Sequence, residues 1–272
     1  MDESGCRQTA AKIRVDIIKE VFHAGSGHPG GSLSAADIVT ALYFHEMNVD
    51  PERPDMPERD KFILSKGHAA PAQYAALAER GYFPVEDIMT LRKLGSNFQG
   101  HPNMHKVPGI EMSTGSLGQG FSASVGFALA NKLDKNPGRI YVMLGDGEVD
   151  EGSVWEAAMS AAHYKLDNLT AIVAWNGLQI DGRNDDVMKV APIDEKFRAF
   201  GWNAINIDGH DFAQIFKAFD EARACKGRPT VIVAKTVKGR GVSFMENQAG
   251  WHGKAPDEEQ ARQAVSELGG EW

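Results

Sequence analysis

Asp146, set between Gly145 and Gly147, and Asn176, which opens Asn176-Gly177-Leu178-Gln179-Ile180-Asp181-Gly182, place an acid and an amide at the ends of two candidate strands. Residues 139–144 read as a buried strand, 169–175 as the next, and 154–164 as a helix between them. A right-handed crossover makes such strands parallel, so Asp146 and Asn176 face one crevice at the carboxyl ends. Magnesium prefers an octahedron of hard oxygens shared among protein, phosphate and water. In this reading Asp146, the side-chain oxygen of Asn176 and a backbone carbonyl near Leu178 supply the protein share. Gly145 and Gly147 allow a sharp turn and close approach to a phosphate, Glu148 counts with them among the expected cofactor contacts, and the next helix offers its amino end to the anion. Gly-Asp-Gly alone is also a good turn tripeptide. The amide one strand later makes the pair a candidate seat for a magnesium diphosphate.

Four of the nine histidines are placed for chemistry. His28, His68, His101 and His252 each lie beside Gly or Pro in an expected loop, where an imidazole is free to enter a cleft, and Pro29 and Pro102 fix the backbone after two of them. Imidazole exchanges protons near neutral pH, which suits bond making and breaking beside hydroxyls. Zinc is a poor fit, because Cys-x-x-Cys does not occur. His23, His45, His105, His163 and His210 match no such position and read as surface or packing residues.

The elements that must hold these groups alternate between helix and strand. Residues 8–24 carry Ile13, Ile17 and Val21 on one helical face and stop at Gly25; residues 34–46 read as a second helix, with Ser34 and Asp37 as a capping-box variant. Residues 61–64 form a short strand feeding Lys66-Gly67-His68, and 69–80 a helix stopped by Gly81. Residues 92–112 lack periodicity and form a long loop, while 118–132 make a small-residue helix. Strands at 204–208 and 230–235 flank a helix at 212–225. The expected architecture is an α/β, doubly wound, mostly parallel sheet with helices on both faces, in a single domain over residues 1–272.

The chain has 272 residues, 42% hydrophobic, enough for one substantial core. A formal charge of −8 argues against nucleic acid as a partner. Cys6 and Cys225 do not suggest a disulfide framework. The acidic start lacks an apolar segment and no run approaches the roughly 18 apolar residues of a membrane span, so a cytoplasmic protein with no membrane partner is expected.

Ser26-Gly27-His28-Pro29-Gly30-Gly31-Ser32, Leu64-Ser65-Lys66-Gly67-His68, Gly100-His101-Pro102, Ser113-Thr114-Gly115-Ser116-Leu117-Gly118-Gln119-Gly120 and the Asp146 to Asn176 pair resemble the transketolase family in order and wording, from about Arg7 to about Pro256. The resemblance implies the thiamine diphosphate-binding fold, with thiamine diphosphate and Mg2+ or another divalent cation as cofactors. It implies that His28 and His252 face the sugar, that His68 and His101 contact the diphosphate or the reacting hydroxyls, and that His68 and His252 count among the cofactor contacts. Gly115 is implied to meet the aminopyrimidine through its carbonyl, with Leu117 packed on the ring system and Ser116 beside them where many transketolases have proline. Glu151 is implied to lie at a subunit interface, in a proton network leading to the glutamate that activates the aminopyrimidine. That glutamate belongs to a pyrimidine-binding domain outside this sequence. The resemblance therefore implies the N-terminal subunit of a split transketolase, moving a two-carbon ketol unit between a ketose phosphate and an aldose. Such a chain is active only with a C-terminal partner subunit, in an assembly with two copies of each.

Two other readings share some of these features. The alpha subunit of a 2-oxo acid dehydrogenase carries the Gly-Asp-Gly to Asn motif but fits Gly27-His28-Pro29-Gly30 and Lys66-Gly67-His68 poorly. A non-catalytic module that only binds the cofactor would have little use for so many loop histidines.

Overall fold

The computed structural model describes residues 1–272. Helix α1 (Glu3–Ala24) is capped by Asp2, whose carboxylate accepts the Gly5 N–H, and is closed by Gly25 at φ 63°. Ile13, Ile17 and Val21 are fully buried along one face, as their spacing predicts.

Helix α2 (Pro29–Ala41) departs from expectation. It begins at Pro29 rather than Ser34, with His28 as its N-cap, and passes into a π-type turn at Leu42–Glu46. Proline's fixed φ suits a first helical turn, which sets this start. No capping box forms. The Ser34 hydroxyl donates to the Gly31 carbonyl at 3.0 Å, and Asp37 faces α1, where Arg14 grips its carboxylate at 2.9 and 2.6 Å. A buried bidentate ion pair is stronger than a local cap, and it takes the aspartate.

Strands β1 (Lys61–Leu64), β2 (Ile140–Gly145), β3 (Leu169–Trp175), β4 (Asn203–Asp208) and β5 (Thr230–Lys235) form one sheet in the order β1-β2-β3-β5-β4. Every pair is parallel. Between them run α3 (Ala70–Arg80), α4 (Gln119–Leu133), α5 (Gly152–His163), the single turn α6 (Asn184–Val187), α7 (Ile193–Ala199) and α8 (Phe212–Ala224), and α9 (Glu258–Glu267) follows β5.

Successive strand residues enter opposite cores. Tyr141, Met143, Ile172, Ile232 and Ala234 join α1, α2, α3, α8 and α9 in the larger apolar cluster. Val142, Leu144, Ala171, Val173, Val231 and Val233 join α4, α5 and α7 in the smaller one. Strands apolar on both sides are what a parallel sheet covered by helices requires, and they explain the near-continuous hydrophobic runs in the sequence. The segment 92–112 is irregular, as expected, and Tyr74 of α3 ties it down by donating to the carbonyls of Gln99 and His101, each at 3.0 Å. Cys6 and Cys225 are free thiols. No helix is long and apolar enough to cross a membrane.

Candidate functional site

Because the sheet is parallel, the segments leaving β1, β2, β3 and β5 emerge at one edge. Each delivers a polar side chain to the same cavity of about 280 Å³: Lys66, Asp146, Asn176 and Lys238. His68, Gly115, Leu117, Gly145, Gly147, Glu148, Leu178 and His252 also line it.

Asp146 is 2% exposed. Its Oδ2 accepts from the Gly177 N–H at 2.6 Å and the Asn184 amide at 3.0 Å, and its Oδ1 from the Gly147 N–H at 3.0 Å. Burial pushes its carboxyl up, and these donors pull against that. The Asn176 side-chain oxygen accepts the Leu178 N–H at 3.0 Å, holding the loop after β3 in a tight turn. The two positions expected to meet do so, joined through the Gly177 amide.

Glu148 lines the cavity, but its carboxylate serves the scaffold. One oxygen accepts the Gly118 N–H at 2.8 Å and the Ser65 hydroxyl, and the other accepts the Gly145 N–H at 3.1 Å. The end of β1, the start of α4 and the end of β2 are thus tied to one buried group. Glycines keep these loops close together. A Cβ on Gly67 would sit 2.7 Å from the Gly115 nitrogen, and Gly115 itself has φ 152°, reserved in practice for glycine.

Two lysines oppose the acid. Lys66 is 1% exposed and donates to the Gly31 carbonyl at 3.1 Å. Lys238 is 1% exposed and lies 3.0 Å from His252 Nδ1. Burial lowers both ammonium groups to about 8, with the Asp146 charge resisting. An ammonium ion with so little water around it gains strongly from an incoming anion.

The expected histidines converge. Ring centres of His28 lie 5.3 Å from His68, 5.4 Å from His252 and 6.3 Å from His101, and His68 and His252 are 5.0 Å apart. Burial, followed by neighbouring positive charge, lowers all of them: His28 and His252 to about 4, His68 well below the ordinary imidazole value, and His101 in the same direction. They are neutral imidazoles at neutral pH, able to accept a proton or to donate one from the other nitrogen. His68 and His252 line the cavity, while His28 and His101 stand beside them without lining it. His68 sits in a one-turn 3-10 helix, Gly67–Ala69, rather than in an open loop.

Ser116 and Glu151 do not enter the cavity. Both are solvent-exposed, and Glu151 makes no capping hydrogen bond to α5. Lys238 lies in none of the sequence motifs and Lys66 only within Leu64-Ser65-Lys66-Gly67-His68; Gly31, Gln179 and Ile180 complete the lining to which the sequence assigns no role. The available signal was position, since each lysine follows the carboxyl end of a buried strand by two or three residues.

The donor set suits a hard cation with a polyanion: one carboxylate, an amide oxygen, and two ammonium groups in a glycine-walled cleft. A parallel α/β sheet that gathers these groups at neighbouring strand ends is a diphosphate-binding domain of the doubly wound class. The family profile described as "Transketolase, thiamine diphosphate binding domain" matches residues 6–271. The chain belongs to the transketolase family.

It is 47% identical over 256 residues to the 6-deoxy-6-sulfo-D-fructose transketolase subunit SqwG of a Clostridium species, covering 94% of this chain and 93% of that one. It is 42% identical over 257 residues to an apulose-4-phosphate transketolase subunit of Phocaeicola vulgatus, covering 94% and 91%. The transketolase of Rattus norvegicus is 45% identical over 266 residues, which are 96% of this chain but 42% of the rat protein. Among solved structures, transketolase from Leishmania mexicana superposes with a TM-score of 0.93 at 32% identity, covering 98% of this chain and 41% of that one. The chain therefore spans about two fifths of these longer transketolases and nearly the whole of the subunit-type relatives.

Proposed function

We propose that this chain is the N-terminal subunit of a thiamine diphosphate-dependent transketolase, one domain over residues 1–272, which transfers a two-carbon ketol unit between a ketose phosphate donor and an aldose acceptor. The observation that carries the proposal is the convergence of Lys66, Asp146, Asn176 and Lys238 on one cavity beside the cluster of neutral histidines.

In this reading Asp146, the Asn176 side-chain oxygen and the Leu178 carbonyl would hold Mg2+, and Lys66, Lys238 and His68 would meet the cofactor diphosphate. Gly115 and Leu117 wall the cavity on the side where the ring system would lie. The chemistry supplied by thiamine diphosphate when bound is nucleophilic attack of its thiazolium carbon on a ketose carbonyl. His28, His101 and His252 orient the sugar hydroxyls and carry protons to and from them, a task that neutral imidazoles perform at physiological pH. Glu151, exposed next to the cavity-forming turn, would meet a second chain rather than the ligand.

The subunit-length relatives support an obligate C-terminal partner that supplies the pyrimidine-binding half, with two copies of each chain in a cytoplasmic assembly. The purified chain alone should show no ketol transfer, and addition of the partner subunit should restore it; full activity without a partner would remove this reading. Asp146→Ala should abolish the magnesium dependence of cofactor binding and greatly weaken it. Unchanged affinity by titration calorimetry would mean that the metal lies elsewhere.

A further inference from the structure

His210 matches no motif and does not line the cofactor cavity, yet its ring bridges two parts of the protein that do. Nδ1 lies 2.7 Å from Asp37 Oδ2, and Nε2 accepts the Val237 N–H at 2.8 Å. A ring nitrogen that accepts cannot carry the proton, so the proton is on Nδ1 and is donated to Asp37. The aspartate is gripped from the other side by Arg14 at 2.9 and 2.6 Å. Burial raises the Asp37 carboxyl, but the Arg14 charge and the His210 hydrogen bond outweigh it and leave it at about 2. The side chains of Arg14, Asp37 and His210 are 9, 8 and 10% exposed, so the chain of contacts is shielded from solvent.

Val237 immediately precedes Lys238, whose ammonium reaches the cavity. The amides on either side of this pair are fixed by main chain, Thr236 to the Trp175 carbonyl and Gly239 to the Gly30 carbonyl, each at 2.9 Å. The Val237 amide is instead fixed by a side chain. Through Asp37 that side chain is joined to α2, the helix capped by His28.

We propose that His210 is a positioning residue: by accepting the Val237 amide and donating to Asp37, it sets the place of Lys238 against the cofactor diphosphate and locks that setting to the helix behind His28. The assignment rests on the cofactor reading above. A lysine enclosed on all sides cannot recover by rotating its stem, so a displaced Val237–Lys238 backbone displaces the charge itself.

The experiment is a titration of Mg2+ and thiamine diphosphate onto the full chain with its partner subunit, followed by calorimetry. In His210→Asn the shorter side chain keeps a donor for Asp37 but withdraws the acceptor from Val237. In His210→Gln the amide oxygen takes the place of Nε2. The expected result is about tenfold weaker cofactor binding for the asparagine variant and less than about twofold for the glutamine variant, the scale of one hydrogen bond lost or kept. In a Lys238→Gln background the asparagine effect should shrink to less than about twofold, because both changes act through one group. Native-like affinity in His210→Asn, equal losses in both variants, or an undiminished effect in the Lys238→Gln background would each overturn the assignment. A native complex that binds no cofactor would instead remove the reading of the cavity on which this one depends. Should the variants fail to fold, the 15N spectrum of the native imidazole decides it: a proton on Nδ1 supports the bridge, and a proton on Nε2 refutes it.

Discussion

Removing the Glu148 carboxylate should loosen the frame of the cavity before it changes any group that touches a ligand. Glu148 is 2% exposed and accepts from the Gly118 and Gly145 amides and the Ser65 hydroxyl. Glu148→Ala leaves two fixed amides unpaired, Gly118 buried and Gly145 half-buried, at about 1–3 kcal/mol each, a sum of about 2–6 kcal/mol. The serine hydroxyl can turn and already accepts the Phe121 N–H at 3.0 Å, so it adds little. Burial disfavours the native carboxylate, and relief of that penalty offsets the upper part of the range, leaving about 2–4 kcal/mol. Glu148→Gln is the sharper test. It keeps the volume but presents an NH2 group either to Gly145 or to the Gly118 and Ser65 donors, so one donor faces another and about 1–2 kcal/mol is lost. Urea unfolding followed by tryptophan fluorescence measures both losses. Calorimetry should show weakened cofactor binding in parallel, because Gly145 is the residue before Asp146. An alanine variant within about 0.5 kcal/mol of native, with native cofactor affinity, would refute the argument.

The remaining predictions concern pH and space. Asp16 of α1 is 8% exposed with Oδ2 unpartnered, and burial, then the Glu79 charge, raises it from 3.8 to about 7. The native state therefore holds a proton that the unfolded chain releases between about pH 4 and 7, and stability falls as pH rises through that window. Asp16→Asn should match native stability near pH 4 and exceed it by about 2–4 kcal/mol at about pH 7.5, part of the full effect being recovered by relaxation around the ionised group; a gain independent of pH would count against this. Lys66 and Lys238, held at about 8 by burial, should be raised by an arriving diphosphate. Cofactor binding near pH 9 should then take up protons, and its calorimetric enthalpy should vary with the ionisation heat of the buffer, whereas a buffer-independent enthalpy would be contrary evidence. Gly67→Ala places a Cβ 2.7 Å from the Gly115 nitrogen and 2.8 Å from the Thr114 carbonyl carbon, both backbone atoms. It should cost about 1–3 kcal/mol in thermal unfolding and weaken cofactor binding, and a variant native in both respects would show that the two loops separate freely.

Local pattern carried much of this protein. Near-continuous apolar runs at 140–144 and 169–174 mark strands buried on both faces, and the helix between them fixes a parallel pairing, so the meeting of Asp146 with Asn176 was legible without coordinates. The loop histidines were legible for a related reason, since Gly and Pro neighbours mark positions free to face a cleft. Where a short pattern was read as complete in itself, it misled. Ser34 and Asp37 have the spacing of a helix cap, but Arg14, on another helix, claims the aspartate. Glu148 reads as a cofactor contact, while its carboxylate is spent on tethering three segments. Lys238 has only its place just past β5 as a local sign and His210 has none, because their roles depend on β5 lying beside β3 and β4 lying beyond it. Hydrophobic period and turn residues determine what each segment is, through interactions within a few residues. The order in which strands are laid down in a sheet is settled by packing between distant segments, and only that order decided which strand ends share a cavity and which buried side chains found a partner.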